Sequence, residues 1–319
     1  MRAPGQDGMR RVLLPLPALA VLAGCATGPA LEKQGEVTGS PGDSRHLAIG
    51  SAGFTESELL AQMYALLLNR AGYSTEILTV GNRELYEPAL ERGQVDVVPE
   101  YAATFADWLN AKEHGADAPP VASPDRDATV AALRGLAAPR GLTVLPAGKA
   151  VDQNAFAVTR KYAAEHRLRT LSDLGESGLP VRLAAGDECV ERPYCEPGLR
   201  KTYGIDITAV DPKGVGTTQA KQAVKAGQDQ MVLTTTTDGT LPDFGLVLLA
   251  DDKHLQNADS IVPVVNRRRA GAAPVAKALN KLNAVLTTKD LADLNEQVDS
   301  WRRLPAQVAR SYLRSKHLI

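Results

Sequence analysis

The sequence predicts an α/β fold, because short apolar segments of strand length alternate with amphipathic segments of helix length. The first three predicted strands are HLAIGS at 46–51, TEILTV at 75–80 and VDVV at 95–98, with a helical segment between each pair. A β-α-β-α-β order with short connections is typical of a parallel, doubly wound sheet. After Ala272 the pattern changes to helices alone. The chain is therefore predicted to contain two α/β units and a closing helical segment.

The first helix is predicted to begin at Thr55, because Thr55 and Glu58 have the spacing of a capping box ahead of an amphipathic run. The second helix is predicted over 84–92, with Pro88 in its first turn or at a kink. Pro99 is predicted to end the third strand, because proline cannot donate to a strand ladder.

The same reasoning predicts the later elements in order. Further strands are predicted at 142–145, 155–159, 181–185, 207–210, 231–235, 244–249 and 261–265. Further helices are predicted at 161–166, 198–203, 218–226, 274–286, 289–298 and 306–316. Thr287 and Asp290 again have capping-box spacing.

The N-terminal residues 1–25 have the pattern of a bacterial lipoprotein signal peptide. Two arginines precede the apolar run Val12–Ala23, which is too short to span a bilayer, and Leu-Ala-Gly directly precedes Cys25. We expect Cys25 to be acylated and to anchor the exported protein on the outer face of the cytoplasmic membrane. The alternative is an ordinary signal peptide with an incidental cysteine. Residues 26–44 are polar and without periodicity, which predicts a flexible tether.

Charge and cysteine content narrow the function classes. The formal net charge is −1, so no basic field favours a nucleic acid partner. Besides Cys25, the chain has only Cys189 and Cys195, which are close in sequence and favour a disulfide in an exported protein. Zinc is the competing interpretation, but two thiols without a nearby histidine or second cysteine pair make a poor site. We therefore expect no metal and no cofactor.

The sequence also lacks the motifs of common enzymes. The five histidines are scattered, and neither HExxH nor GxSxG is present. Gly214 and Gly216 begin like a dinucleotide loop, but the third glycine is missing. Binding proteins and extracellular sensor or adhesion modules remain, because the same fold serves several functions.

Ligand contacts are expected in the loops at the carboxyl ends of the first three strands. In open parallel sheets these loops meet helix N-termini and form the binding crevice. They are Ala52–Thr55, Gly81–Arg83 and Pro99–Thr104. The first loop places free backbone N–H groups of the Thr55 helix at the crevice, where an electron-rich group can bind.

Several segments resemble one family when they are taken together. They are GSAGFTESELL at 50–60, ALERGQVDVVPEYAAT at 89–104, TTTDG at 235–239, LADDK at 249–253 and PVV at 263–265. In this order and spacing they resemble the OpuAC-like substrate-binding proteins of ABC importers for osmoprotectants such as glycine betaine, carnitine and choline. The resemblance covers nearly all of the chain from Leu47 to Leu313.

The resemblance implies a two-lobed, type II periplasmic-binding-protein-like fold, in which a two-strand hinge joins two doubly wound sheets. Matched to that pattern, lobe I is 45–101 plus 240–319, and lobe II is 102–239. The implied function is extracytoplasmic capture of a small quaternary amine and its delivery to an ABC permease by a monomeric protein. Ligand would bridge the lobes and favour the closed form.

The resemblance also implies site residues. Tyr101 matches an aromatic position that packs on the ligand, and Arg192, in the loop 187–199, matches an arginine that can clamp a carboxylate. A Cys189–Cys195 bridge would hold that loop. The chain is only 4% aromatic, so a full aromatic cage is not expected. The alternative is a more polar, amino-acid-like solute. The full set of predicted ligand contacts is Phe54, Thr55, Arg83, Tyr101, Thr104, Arg192, Thr236, Thr237 and Asp238.

Overall fold

The computed structural model describes residues 45–81, 83–115 and 118–319. The predicted signal peptide, the tether and Cys25 lie outside these residues. Among the described helices, none combines the length and the apolar character needed to cross a bilayer.

Strands and helices alternate through most of the described chain, and helices alone follow the last strand. The strands are β1 His46–Ser51, β2 Ser74–Thr79, β3 Val97–Tyr101, β4 Leu142–Val144, β5 Asn154–Thr159, β6 Pro180–Ala185, β7 Asp206–Pro212, β8 Met231–Thr235, β9 Leu246–Leu249 and β10 Ile261–Asn266. The helices are α1 Thr55–Arg70, α2 Arg83–Arg92, α3 Ala102–His114, α4 Arg126–Ala137, α5 Arg160–His166, α6 Leu171–Ser177, α7 Glu196–Gly198, α8 Thr218–Lys225, α9 Arg267–Ala270, α10 Ala273–Val285, α11 Thr288–Asp299 and α12 Pro305–Ser315.

The strands form two five-stranded sheets, in the orders β2-β1-β3-β10-β4 and β7-β6-β8-β5-β9. In the first, β1 is parallel to β2 and β3, whereas β10 is antiparallel to β3 and β4. In the second, β6 is parallel to β7 and β8, whereas β5 is antiparallel to β8 and β9. The parallel order predicted for the first three strands is confirmed, whereas each sheet as a whole is mixed. The antiparallel strands are β5, with which the chain enters the second sheet, and β10, with which it returns to the first sheet. Neither strand follows a crossover helix from a neighbouring strand of its own sheet, which a parallel connection would require.

The chain crosses between the sheets twice, after β4 and after β9. These crossing segments, 151–153 and 250–260, lie side by side, because Val151 pairs with Ser260 in an antiparallel bridge and the Asp152 N–H donates to the Asp259 carbonyl. The first lobe therefore contains residues 45–150 and 261–319, and the second contains 154–249.

The lobe boundaries expected at 101/102 and 239/240 are wrong, because they assign two strands to the wrong lobe. β4 lies in the first sheet and β9 lies in the second, each opposite to the expectation. The reason is that Tyr101 leads directly into α3, whose buried Phe105 and Leu109 share a core cluster with Val98 and Val264 of the first sheet. No pattern in the sequence predicts α3 or α4, so the crossing is expected too early along the chain.

Pro99 does not end the third strand, because β3 continues to Tyr101. Pro99 lies opposite Pro263 of β10 in the antiparallel register. Since neither proline has an N–H group, the pair occupies a position where the two strands need not exchange hydrogen bonds.

The two predicted capping boxes differ in outcome. At α11, the Thr287 hydroxyl accepts a bond from the Asp290 N–H, and the Asp290 carboxylate accepts one from the Thr287 N–H, which confirms the prediction. At α1, the N-cap is Phe54 and no side chain caps the helix, so the prediction is wrong. Thr55 is already the first helical residue, and its hydroxyl instead donates to Asp299 Oδ1 of α11 at 2.6 Å.

Candidate ligand-binding cleft

A cleft lies between the two lobes and consists of two chambers. The first has a volume of about 490 Å³ and the second about 510 Å³. Both are lined by Phe54 from the first lobe, Asp152 from a crossing segment and Thr235 from the end of β8. The chambers are therefore two parts of one interlobe space, at the carboxyl ends of strands where ligands of such sheets bind.

Aromatic rings form one wall of the first chamber. The rings of Phe54 and Tyr101 stack with centroids 6.2 Å apart and an interplanar angle of 30°. Phe54 is 45% exposed although it is a large apolar side chain. Tyr194 of the second lobe lines the same chamber. Such ring faces attract a cation within about 6 Å of the centroid.

The Tyr101 ring is held by a hydrogen-bond chain that reaches the second lobe. Its hydroxyl donates to Glu56 Oε1 at 2.8 Å, and Asn295 Nδ2 donates to Glu56 Oε2 at 2.9 Å. The same Asn295 amide also donates to the Thr237 carbonyl at 3.0 Å. Because every link is within normal hydrogen-bond distance, the orientation of the ring depends on contacts across the lobe junction.

Carboxyl groups surround the cleft and have perturbed pKa values. Burial, reinforced by the nearby charge of Asp152, raises the pKa of Glu56 to about 7. Burial likewise raises the pKa of Asp259 to about 7, although its Oδ1 accepts bonds from the Ala103 and Thr104 N–H groups at 2.7 and 3.3 Å. A cation bound in the cleft would favour the ionised form of each group.

Asp152 is the carboxyl group common to both chambers. Burial raises its pKa, and its Oδ1 has no hydrogen-bond partner within the described chain. Buried polar atoms without a partner are rare in native proteins. A cationic ligand would compensate this oxygen electrostatically.

Arg192 lies in a short loop of the second lobe that closes on itself. Cys189 and Cys195 form a disulfide with a Cα–Cα distance of 5.2 Å, which confirms the predicted bridge. Within the loop, the Arg192 N–H donates to the Glu188 carbonyl and the Cys195 N–H donates to the Arg192 carbonyl. The exposed Arg192 lines the first chamber, and its guanidinium has no partner among the residues described. It is therefore available for an anionic group.

Arg83 does not line either chamber. Its Nε and Nη2 donate to the two carboxylate oxygens of Glu100 at 3.0 and 2.8 Å, and Nη2 also donates to the Thr104 hydroxyl. Glu100 is fully buried on β3, and a buried carboxylate requires such a partner. Arg83, predicted as a ligand contact, instead pairs with the buried carboxylate of Glu100 in the first sheet.

Thr236 also lines neither chamber, whereas Asp238 lines the second. The Thr236 hydroxyl donates to the Val151 carbonyl at 3.2 Å, which holds a crossing segment. Asp238 Oδ2 accepts bonds from Lys221 Nζ at 2.7 Å and the Thr234 hydroxyl at 2.6 Å. Burial alone would raise the pKa of Asp238, but these bonds lower it. Its carboxylate is therefore already neutralised within the second lobe.

The structure thus distributes the predicted contacts over three places. Those at the first chamber are Phe54, Tyr101, Thr104 and Arg192; those at the second are Phe54, Thr55, Thr237 and Asp238; Arg83 and Thr236 lie at neither.

Sequence reasoning missed Glu56, Asp152 and Asp259. Asp152 and Asp259 each precede a strand by two residues, in the two crossing segments, and only the crossing brings them together. In the described residues no cluster of histidine, cysteine and carboxylate side chains could hold a metal ion.

Comparisons with known proteins agree with this geometry. Residues 45–315 match the OpuAC family, described as the substrate binding domain of ABC-type glycine betaine transport systems. The chain is 28% identical to the glycine-betaine-binding protein of Pseudomonas aeruginosa over 283 residues, which are 86% of this chain and 88% of the relative.

Solved structures confirm the predicted two-lobed fold. The apo YehZ structure from Escherichia coli has a TM-score of 0.73 at 25% identity, covering 86% of this chain and 99% of that one. The structure of a glycine betaine/carnitine/choline ABC transporter protein has a TM-score of 0.73 at 23% identity, covering 85% and 99%. The chain therefore belongs to the OpuAC family, the substrate-binding domains of ABC-type glycine betaine transport systems, and is a binding protein and not an enzyme.

Proposed function

We propose that this protein captures a small quaternary ammonium solute in the first chamber and delivers it to an ABC permease. The observation that supports this most directly is the stacking of the exposed Phe54 ring on the half-buried Tyr101 ring, beside buried carboxyl groups. The names of the relatives point to the same ligand class, since they mention glycine betaine, carnitine and choline.

The chemistry of the first chamber suits an onium group. A quaternary ammonium donates no N–H bond, so it is recognised by ring faces and negative charge. Each desolvated ring contributes roughly 0.5–2 kcal/mol to such a contact. Phe54 and Tyr101 supply the ring faces from the first lobe, and Asp152 and Asp259 supply the negative charge.

Arg192 extends this recognition to ligands that carry a carboxylate. Arg192 lines the chamber from the second lobe, whereas the aromatic pair belongs to the first. A zwitterion such as glycine betaine would then contact both lobes at once. A ligand that binds the closed form better shifts the open–closed equilibrium by that difference in affinity.

Anchoring and oligomeric state are part of the same proposal. The Leu-Ala-Gly-Cys sequence ending at Cys25 supports acylation and attachment to the outer face of the cytoplasmic membrane. Binding and release of a small solute need a single copy of the two lobes, so we propose a monomer. A sensor module with this fold is the alternative, and solute uptake through a cognate permease distinguishes the two functions.

The amino-acid-like ligand is the weaker alternative. Among the ligand contacts predicted from the sequence, the polar ones that could hold such a ligand are Arg83, Arg192, Thr236, Thr237 and Asp238. Arg83 and Thr236 line neither chamber, and Asp238 is paired with Lys221. Most of the polar groups that such a ligand would use are therefore already occupied.

Calorimetric titration tests the proposal. We expect glycine betaine, carnitine or choline to bind, with glycine and proline as matched ligands that lack the quaternary group. The variant Arg192→Gln should weaken glycine betaine binding about tenfold or more, because a hydrogen bond to a charged group contributes about 1.5–3 kcal/mol. Choline, which has no carboxylate, should be unaffected. Absence of binding by every quaternary ligand would contradict the proposed function.

A further inference from the structure

We propose that the C-terminal surface of the first lobe docks on the anionic headgroups of a lipid bilayer. This surface, named here the basic face, consists of Trp301, Arg302, Leu304, Arg310 and Arg314. The proposal is independent of which solute binds in the cleft.

Charge is strongly segregated along the chain. Residues 301–319 contain five Lys and Arg residues and no Asp or Glu. The rest of the chain then has 31 basic and 37 acidic residues, from the totals of 36 and 37. A basic segment at the end of an otherwise acidic protein is attracted to an anionic surface, whereas the rest of the protein is repelled.

Among the described residues, the arginines of the basic face have no acidic partner. Lys316 pairs with Asp290 at 3.3 Å, and Arg303 donates to the neutral side chain of Gln297. By contrast, Arg302, Arg310 and Arg314 are exposed and form no ion pair or hydrogen bond within the described chain.

Helix α12 presents two of these arginines on one solvent-facing stripe. Its buried residues are Val308, Ala309, Tyr312 and Leu313, and α12 packs against α1 through this apolar side. The outward stripe contains Arg310 and Arg314, which are four residues apart and therefore neighbours on the helix surface. No acidic residue lies between them on that stripe.

Two apolar side chains complete the basic face. Trp301 is 59% exposed and Leu304 is 62% exposed, the highest values among the large apolar side chains that the structure describes. They enclose Arg302 and Arg303 in the turn before α12. Tryptophan is enriched at membrane–water interfaces, where its ring enters the acyl boundary and its N–H remains in the polar layer. Arginine pairs with lipid phosphates at the same depth.

A bilayer fits this surface better than a protein or a nucleic acid. The described face is an exposed helix stripe and the turn before it. Lipid headgroups are mobile, so their phosphates can pair with arginines at any spacing. Apolar side chains beside the arginines can insert at the boundary between headgroups and acyl chains.

Vesicle sedimentation with the chain from residue 26 tests the proposal, because this chain lacks both the apolar signal segment and the acylated cysteine. Vesicles are phosphatidylcholine alone or phosphatidylcholine with phosphatidylglycerol. We expect at least about tenfold stronger partition onto the anionic vesicles, lost at high salt because screening removes the attraction. The double variant R310Q/R314Q should lose about 25-fold, since each arginine contributes about fivefold. The second-lobe variant R160Q/R167Q is the matched control and should bind like the parent.

Tryptophan emission provides a second readout. The chain has two tryptophans, so a blue shift on anionic vesicles must disappear in Trp301→Phe. Equal partition onto both vesicle types, or equal losses in the two double variants, overturns the proposal. If R310Q/R314Q partitions normally but abolishes solute uptake in cells, the face contacts the permease and the lipid proposal is wrong.

Discussion

The two chambers of the cleft have nearly the same volume but different linings. In the first chamber the recognition groups are unused: the Phe54 ring is exposed and the Arg192 guanidinium is free of partners in the described structure. In the second, polar groups are bonded to one another, as in the Thr55–Asp299 and Lys221–Asp238 pairs. Volume alone therefore does not identify a binding site. The distinguishing property is whether the polar and aromatic groups already have partners.

The second chamber is better understood as the junction between the lobes. Helix α11 of the first lobe contributes Asn295, which bonds both Glu56 and Thr237. Ser300, directly after α11, donates to Asp243 Oδ2 of the second lobe at 2.6 Å. Gly239 lies so close to α11 that a Cβ there would be 2.2 Å from the Glu296 nitrogen and 2.6 Å from the Ala292 oxygen.

The largest effect is expected from Gly239→Ala, which places a methyl group between the second lobe and α11 and should lower the stability of the protein. The added methyl group meets backbone atoms that cannot move independently, and overpacking of this kind costs about 1–3 kcal/mol of unfolding free energy. We expect the midpoint of urea denaturation to fall accordingly. Gly135→Ala is the matched control, because Gly135 lies in α4 with nothing within 4 Å of an added Cβ. Alanine there should be neutral or stabilising, by up to about 1 kcal/mol. Equal stability of G239A and the parent would show that the lobes are not packed as described.

A smaller effect is expected from removing the aromatic wall of the first chamber. Tyr101→Ala should weaken binding of a quaternary ammonium ligand by about thirtyfold, since a desolvated ring contributes up to about 2 kcal/mol. Tyr101→Phe keeps the ring and loses only the bond to Glu56, so calorimetry should show a much smaller loss. Tyr162→Ala is the control outside the cleft, where the ring packs on His166 with centroids 4.6 Å apart. A similar loss in Tyr162→Ala and Tyr101→Ala would argue against the first chamber as the site.

The smallest effect is expected from a change of pH, which alters both the stability of the protein and its affinity for the ligand. The pH dependence of affinity also distinguishes which chamber holds the cation. Burial raises the pKa of Glu56 from 4.5, and that of Asp259 from 3.8, to about 7. Between pH about 4 and pH about 7, these two carboxyl groups bind more protons in the native state than in the unfolded state. Stability of the free protein is therefore greatest below pH about 4 on this account, and decreases as pH rises through about 7.

Ligand affinity should change in the opposite direction, because a cation favours the ionised carboxylates. Between pH about 5 and 8 we expect calorimetry to show about tenfold tighter binding, the equivalent of one pKa unit. If the cation lies in the first chamber, Asp259→Asn should flatten this dependence and Glu56→Gln should leave most of it. The reverse result would assign the cation to the second chamber.

Local sequence patterns were sufficient for most of the elements. The Thr287–Asp290 capping box was predicted because each partner is three residues from the other. The Cys189–Cys195 bridge was predicted for the same reason, since its partners are six residues apart. Alternating apolar segments located nearly every strand, because burial of one face repeats at short intervals along the chain.

Tertiary structure alone decided which groups face the ligand. Asn295 donates a hydrogen bond to Glu56, which is 239 residues away in the sequence. Arg83 pairs with Glu100 and therefore does not line the cleft. The lobe boundaries also depended on α3 and α4 packing on the first sheet, which no local pattern showed. Composition, periodicity and ordered motifs determined the fold class and the family. The partner of each charged side chain depends on the path of the whole chain, because a buried charge takes whichever opposite group the fold brings within reach.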